Sequence, residues 1–402
     1  MKASDRILNL QSSQSLQMAQ RAAELKAAGA DVISLSLGEP DFFTPAHIKD
    51  AAKKAIDDNF SFYAPVPGYL SLREAISAKL SSENGLDYTP NQIIVSTGGK
   101  QAICNAILAT VNKGDEVIIP TPAWVSYTEM VKLAEGVPVI VRTSYAAGFK
   151  LTAEQLEKAI TARTRMLILC SPSNPSGAVY SEPEIRALAE VINRHPEVLV
   201  LSDEIYEHIN YVGGHFSMAQ VEEVRPQVII ANGVSKAYAM TGWRIGWLAA
   251  EQWVVDACKK LQGQYTTCAS TIAQKAAEAA YTGSQECVAQ MREAFQRRRD
   301  IVLNLAKEIS GFEVSAPDGA FYLFPKVDSL FGTHYTDSQG VCVTITDSSA
   351  LADYLLEDAH VAAVAGTAFL MPECIRFSYA TSEDKLRQAF ARIKDAIEKL
   401  ER

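Results

Sequence analysis

No stretch of this 402-residue chain approaches the roughly 20 consecutive apolar residues that a membrane-spanning helix needs. The opening MKASDRILNLQSSQSLQMAQ lacks an apolar run after a basic segment, so no cleaved signal peptide is expected. Charge of one sign is nowhere blocked together. The 38 basic and 47 acidic side chains give a net charge of −9 spread along the sequence, which argues for solubility and against nucleic acid as the main partner. Cys104, Cys170, Cys258, Cys268, Cys287, Cys342 and Cys374 are scattered, odd in number and never paired as C-x-x-C. That usage fits thiols buried as small hydrophobes in a reduced, cytoplasmic setting. His47, His195, His208, His215, His334 and His360 show no H-E-x-x-H or other ligand spacing, so no metal site is expected. No G-x-G-x-x-G follows an apolar run, which counts against a nicotinamide dehydrogenase. Internal repeats, low-complexity tracts and flexible linkers are missing as well.

What is present is a chain long enough for two or three domains. Between Pro45 and Gly283 helical segments alternate with short apolar, β-branched runs. These are Ile93–Gly99, Glu116–Pro122, Val137–Thr143, Arg165–Pro172, Val198–Tyr206, Gln227–Gly233 and Arg244–Ala250, seven candidate strands. Continuous apolar strands alternating with helices of period near 3.6, such as Glu182–His195, predict an α/β fold with a mostly parallel sheet covered on both faces. A long amphipathic helix follows Gly283. The remaining short strands and helices, taken with the N-terminal segment, read as a smaller α+β domain. The expected division is 1–44 and 291–402 in the small domain, with 45–290 as the large one.

Ligands of open α/β sheets bind beyond the carboxyl ends of the strands. Five of the runs end there in polar groups: TGGK (Thr97–Lys100), TPAW (Thr121–Trp124), SPSNP (Ser171–Pro175), SDEIY (Ser202–Tyr206) and NGVSK (Asn232–Lys236). In Gly233–Gly246, small and apolar residues surround Lys236. A poorly solvated lysine has a lowered pKa, and its neutral amine can form an imine with an aldehyde. Ser235 and Arg244 beside it suit a phosphate through charge-assisted hydrogen bonds.

This segment resembles the lysine-attachment motif of the class I/II aminotransferases, pyridoxal-5′-phosphate enzymes of fold type I. The resemblance runs nearly the full length, through LSLGEPDF (Leu35–Phe42), YAPVPG (Tyr63–Gly68), SPSNPSG, SDEIYEH and IRFSYATS (Ile375–Ser382). It most resembles the bacterial aspartate aminotransferases called subgroup Iβ. The resemblance implies that Lys236 holds the cofactor as an imine and then moves the proton from the substrate Cα. Asp203 would pair with the pyridine nitrogen and keep it protonated, making the ring an electron sink. Tyr206 and Asn174 would hydrogen-bond the ring's 3′ oxygen, and Trp124 would stack on its face. Gly98, Gly99, Lys100, Ser235 and Arg244 would surround the phosphate at the start of the helix Lys100–Asn112, where the helix dipole favours an anion. Arg376 would bind the substrate's α-carboxylate as a bidentate fork, with Gly38, Trp124 and Asn174 completing that pocket. Tyr63 would reach the phosphate of a neighbouring subunit, implying an isologous homodimer with shared sites.

The implied reaction is transfer of the amino group of aspartate to 2-oxoglutarate. Transaminases of aromatic, alanine or prephenate specificity, β-lyases and synthases share the fold and stay open at this point. A transcription regulator built on the same fold is disfavoured, because too short a stretch precedes LSLGEPDF for a winged helix. For a second substrate carboxylate, the matching positions are Lys100, Ser13 and Ser15. Some relatives that accept prephenate carry a lysine just before these hydroxyls. Gln11 stands here instead, so little prephenate activity is expected. Three other features read as structure: Arg297–Arg299 as a solvated helix face, Phe321, Tyr322 and Phe324 as strand core, and Trp243, Trp247 and Trp253 as packing.

Overall fold

The computed structural model describes residues 2–12, 14–337 and 339–402. Each of the seven apolar runs is a strand: β1 Ile93–Ser96, β2 Glu116–Thr121, β3 Val137–Arg142, β4 Thr164–Cys170, β5 Leu199–Asp203, β6 Val228–Gly233 and β7 Gly246–Ala249. They form one sheet in the order β1-β7-β6-β5-β4-β2-β3. Pairing is parallel except along β7, which is antiparallel to both of its neighbours.

The alternation of side chains explains why these runs are apolar throughout. Val95, Leu167, Leu169, Val200, Ile230 and Trp247 point into one hydrophobic cluster. Their strand neighbours Ile94, Ile168, Leu201, Ile229 and Leu248 point into a second cluster on the other face. Both faces are covered by helices, so a strand of period 2 needs apolar residues at every position. Strand β3 is the exception. It lies at the sheet edge with Val137 and Ile140 exposed, and its Pro138 is tolerable there because an edge strand has one ladder side unpaired. The helix Glu182–Asn193 begins at a capping box in which Ser181 N donates to Glu184 Oε2 at 2.7 Å.

A further hydrophobic cluster gathers Met18, Val32 and Leu35 from the N-terminal segment with residues from Met291 to Ile397. Strand Ile33–Ser34 pairs in parallel with Val361–Ala362. A three-stranded antiparallel sheet places Ile375–Ser378 between Val364–Ala365 and Tyr322–Leu323. The helix Glu286–Lys307 runs from one cluster to the other, with Val288 in the first and Met291, Phe295 and Val302 in this one.

The arginine triplet on that helix departs from the expectation of a solvated face. Arg297 is exposed, but Arg298 is buried and holds Asp41 through Nη1 at 2.6 Å and Nη2 at 3.1 Å. Arg299 lies over the Tyr211 ring at 4.9 Å. Consecutive helix positions are about 100° apart, so three of them cannot share one face. Trp247 is fully buried and Trp243 Nε1 donates to Thr44 Oγ1 at 3.0 Å, whereas Trp253 is 48% exposed, so its reading as packing fails.

Beneath the sheet's ligand-binding edge, Glu207 lies against the Lys79 ammonium and accepts from Asn232 Nδ2 at 2.8 Å. Asn232 Oδ1 in turn accepts from Gly233 N at 2.7 Å, tying the ion pair to the end of β6. Burial alone would raise the Glu207 pKa, but Lys79, His208 and His215 outweigh it and hold it well below the ordinary range. Glu207 also contributes to two groups of possible metal ligands, with Glu83 and His208 and with Glu204 and His215, that no sequence spacing announced. Lys79 already supplies a cation to the carboxylate that both groups share. Replacing Lys79 by Met strands a buried carboxylate and should cost about 3–5 kcal/mol of unfolding free energy, with much of it restored in Lys79→Met/Glu207→Gln. Chemical denaturation checks this. A single-variant loss below about 1 kcal/mol would mean that the pair does not hold the strand end.

Candidate active site

All the parallel strands end at one edge, and β7 begins at that same edge because it runs the other way. Residues that follow β1, β2, β4, β5 and β6 therefore converge with Arg244, which precedes β7. They line a cavity of about 430 Å³ closed on its other side by Ser15, Leu16, Ser36–Glu39, Tyr322 and Arg376. All five polar strand ends singled out from the sequence contribute to it.

The cavity wall carries four basic side chains, Lys100, Lys236, Arg244 and Arg376, against two acidic ones, Glu39 and Asp203. Among the described residues, none of the four cations forms an ion pair with a carboxylate. Such an excess of unneutralised positive charge suits an anionic ligand.

Asp203 ends β5 and is buried. Its Oδ2 accepts from Tyr127 OH at 2.6 Å and its Oδ1 from Ile205 N at 3.3 Å. Desolvation outweighs those bonds and raises its pKa to about 6. A buried carboxylate held only by neutral donors is suited to a cationic group placed against it. Lys236 follows β6, and its Nζ donates to Gly38 O at 2.6 Å, 5.7 Å from the centre of the Tyr206 ring. Desolvation lowers its pKa to about 8, with Glu39 opposing and Arg376 and Arg244 assisting.

Arg376 is buried in the central strand of the small antiparallel sheet. Its Nη1 donates to Asn174 Oδ1 at 2.8 Å and its Nη2 to Ser36 O at 2.6 Å, while Nε is buried without a partner. The guanidinium stacks on Tyr322 at 4.5 Å and Phe369 at 4.8 Å. Burial lowers its pKa, yet an arginine stays charged. A buried cation with an open donor and no anion is a carboxylate receptor.

At the other end of the cavity, Gly98 has φ +84°, and a Cβ there would strike the Arg244 guanidinium. Gly98 caps the helix Gly99–Thr110, whose N-terminal amides face the cavity beside the buried Ser235. Loop, helix start, hydroxyl and arginine together fit a phosphate. Trp124 walls one side, with Lys100 Nζ 4.9 Å above its ring. Burial and Arg244 lower the Lys100 pKa. Ser15 also lines the cavity, whereas Ser13 lies outside the described residues. Tyr63 does not join its own chain's cavity and is 89% exposed.

The sequence did not reveal Tyr127, Glu39 or Thr241, all of which line the cavity, nor the site role of Tyr322. Thr241 Oγ1 donates to Glu39, linking the segment after Lys236 to the N-terminal strap. Tyr322 is buried, as expected of strand core, but its hydroxyl bonds Tyr206 OH at 2.7 Å inside the cavity, so the purely structural reading is corrected. The available signal was the hydroxyl itself, since a buried tyrosine OH demands a partner.

Comparison with known proteins agrees with this geometry. The family model described as aminotransferase class I and II matches residues 30–393. An aspartate/prephenate aminotransferase of Cereibacter sphaeroides is 49% identical over 393 residues, covering 97% of each chain. An aspartate aminotransferase of Rhizobium meliloti is 47% identical over 397 residues, covering 98% of this chain and 96% of the relative. The crystal structure of a Rhizobium meliloti aspartate aminotransferase superposes with a TM-score of 0.95 at 44% identity and full coverage of both chains. A Thermus thermophilus aspartate aminotransferase with maleate gives 0.92 at 40% identity, covering 98% of this chain and 100% of that one.

The raised pKa of Asp203 has a measurable consequence in protein stripped of ligand. The folded state holds this proton more tightly than the unfolded state does. The associated stability is therefore fully present below about pH 4 and lost as pH rises through about 6. Asp203→Asn removes that loss, so its unfolding free energy should gain on wild type between about pH 4.5 and 7.5 by about 2 kcal/mol. Urea titrations from pH 4.5 to 7.5 read the gap, and a gap independent of pH would show that Asp203 is not a strained carboxylate.

Proposed function

The chain belongs to the class I and II aminotransferases, pyridoxal-5′-phosphate enzymes, and on that premise we propose that it transfers the amino group of L-aspartate to 2-oxoglutarate, giving oxaloacetate and L-glutamate. The observation that carries this reading is the presence in one cavity of a lysine with lowered pKa, a buried unpaired Asp203 and a buried unpaired Arg376. When bound, the cofactor's ring takes up the electron pair released as the Cα–H bond of the amino acid breaks.

The residues that would hold the cofactor are Lys236 by its amine, Asp203 at the ring nitrogen, Tyr206 and Asn174 at the 3′ oxygen, and Trp124 on the ring face. Gly98, Gly99, Ser235, Arg244 and the backbone amide of Lys100 at the helix start would take its phosphate. Asn174 gives its oxygen to Arg376, which leaves its amide NH2 available to a ligand. Lys236 Nζ, with a pKa near working pH, can take a proton from the substrate Cα and give it up again. Arg376, with Gly38 and Asn174 beside it, would grip the α-carboxylate and so aim the Cα–H bond at that amine.

Aspartate needs a second cation, and among the described residues Lys100 lines the cavity without a carboxylate partner, as does the hydroxyl-bearing Ser15. Ser13 belongs to the same reading. Gln11 lines a neighbouring recess with Ser12, Gln14 and Glu129, and its backbone N donates to Glu129 Oε2 at 2.8 Å. It offers no charge to a larger dicarboxylate. We therefore expect little prephenate activity, although several relatives are named for it.

The exposed Tyr63, with Phe62 and Phe43 also uncovered, supports a homodimer in which Tyr63 completes the neighbour's phosphate site. Residues 45–290 are read as the cofactor domain, with 1–44 and 291–402 as the smaller one. Scattered, unpaired cysteines support a cytoplasmic location.

Steady-state assays with aspartate, alanine and phenylalanine test the assignment. Lys100→Ala should cost aspartate about 1.5–3 kcal/mol in kcat/KM and leave alanine nearly unchanged. Arg376→Ala should weaken every amino acid by about 2–5 kcal/mol, because each loses the same carboxylate contact. A wild type that favours alanine or phenylalanine, or a Lys100→Ala variant equally slow with all three, would overturn the aspartate assignment.

A further inference from the structure

Tyr322 stands opposite Ser378 in the antiparallel pairing of Tyr322–Leu323 with Ile375–Ser378. Arg376 is two residues from Ser378 and so projects from the same face of the strand, as a diagonal neighbour of Tyr322. Strand register therefore lays the Tyr322 ring under the guanidinium, 4.5 Å from its centre. The hydroxyl end reaches the other way, bonding Tyr206 OH at 2.7 Å, with the two rings edge-to-face at 5.8 Å. A Cβ on Gly38 would collide with this same hydroxyl. Gly38 can therefore lie against Tyr322 and present its carbonyl to Lys236 Nζ. One buried side chain thus touches the carboxylate receptor, the cofactor-facing tyrosine and the strap that meets the lysine.

We propose that Tyr322 is a positioning residue whose hydroxyl donates to Tyr206, so that the Tyr206 proton is directed into the cavity, and whose ring holds Arg376 in its carboxylate-binding pose. This rests on the reading of Tyr206 as the donor to the cofactor's 3′ oxygen. Two phenols that share one hydrogen bond have two arrangements. If Tyr206 donated to Tyr322, its only proton would be spent and Tyr206 could no longer donate to the ligand. The guanidinium over the Tyr322 ring favours the useful arrangement, because a nearby cation makes that phenol the more acidic partner. Burial raises both tyrosines, and Arg376 is the first influence opposing it at Tyr322 but a minor one at Tyr206. A phenol that accepts a hydrogen bond becomes a stronger donor in turn.

The holoenzyme tests this through the pH midpoint of its visible absorption, which reports how strongly the 3′ oxygen is stabilised as an anion. A weakened donor raises the midpoint. Tyr322→Phe keeps the ring and loses the hydroxyl. It should move the midpoint up by about half a pH unit and lower kcat several-fold, with the KM for aspartate within about twofold. Tyr322→Leu also loses the ring, and should weaken binding of succinate, a dicarboxylate without an amino group, by about fivefold or more.

The decisive comparison is a double-mutant cycle. Tyr206→Phe should shift the midpoint further than Tyr322→Phe does, and adding Tyr322→Phe to it should shift nothing more. An additive shift would show that Tyr322 acts independently of Tyr206 and would overturn the proposal. So would a Tyr322→Phe enzyme with unchanged midpoint and kcat but lower Tm, the behaviour of a merely structural tyrosine. A wild type that prefers another amino acid while the cycle closes as described would remove the aspartate assignment and leave this inference standing.

Discussion

Burying the Arg376 guanidinium without a carboxylate partner constrains much of the rest of the site. A desolvated cation is costly, and here it is met only by neutral groups: Asn174 Oδ1, the Ser36 carbonyl and two aromatic faces. Those groups come from four separate parts of the chain. The strap around Ser36–Glu39, the loop after β4, strand Tyr322–Leu323 and the turn at Phe369 must all be in place for the arginine to be tolerated. The same strap carries Gly38 to Lys236 and Glu39 to Thr241. Asp203 faces the mirror-image problem at the floor of the cavity, as a buried carboxylate supplied with neutral donors. The protein keeps two opposite charges apart and unneutralised, which is the arrangement a ligand with one cationic ring and one carboxylate would complete.

Sheet topology makes that separation possible. Because β7 runs against its neighbours, Arg244 arrives at the edge where the parallel strands end, beside the helix that starts at Gly99. Lys236 and Ser235 follow β6 directly, and the Lys79–Glu207–Asn232 chain pins the end of that strand from below. The small antiparallel sheet delivers Arg376 and Tyr322 from the opposite side. Reactive groups are thus anchored on strand ends and strand faces, which hold position better than long loops do.

Much of this was legible in the sequence for a simple reason. Strands buried on both faces must be apolar at every position, and the polar residues that end such runs stand out against them. Edge position was not legible. β3 reads like its neighbours, and only long-range pairing makes it exposed. Helical geometry separates Arg298 from Arg297, so the triplet cannot share one solvated face. Tyr127 and Tyr322 gave little signal because each is needed for a contact with a residue far away in sequence, Asp203 in one case and Tyr206 in the other. Aromatic residues in an apolar run look like core, and both are core. What the run does not show is where their hydroxyls go.

The amine of Lys236 feels both unmatched charges, Arg376 and Asp203. The most direct measurement is borohydride reduction of the yellow holoenzyme, followed by proteolysis and mass mapping of the peptide that retains the cofactor. A single modified peptide containing Lys236 is expected, with no retained label in Lys236→Ala. Label on Lys100 or any other lysine, or undiminished label in the variant, would contradict Lys236 as the attachment site.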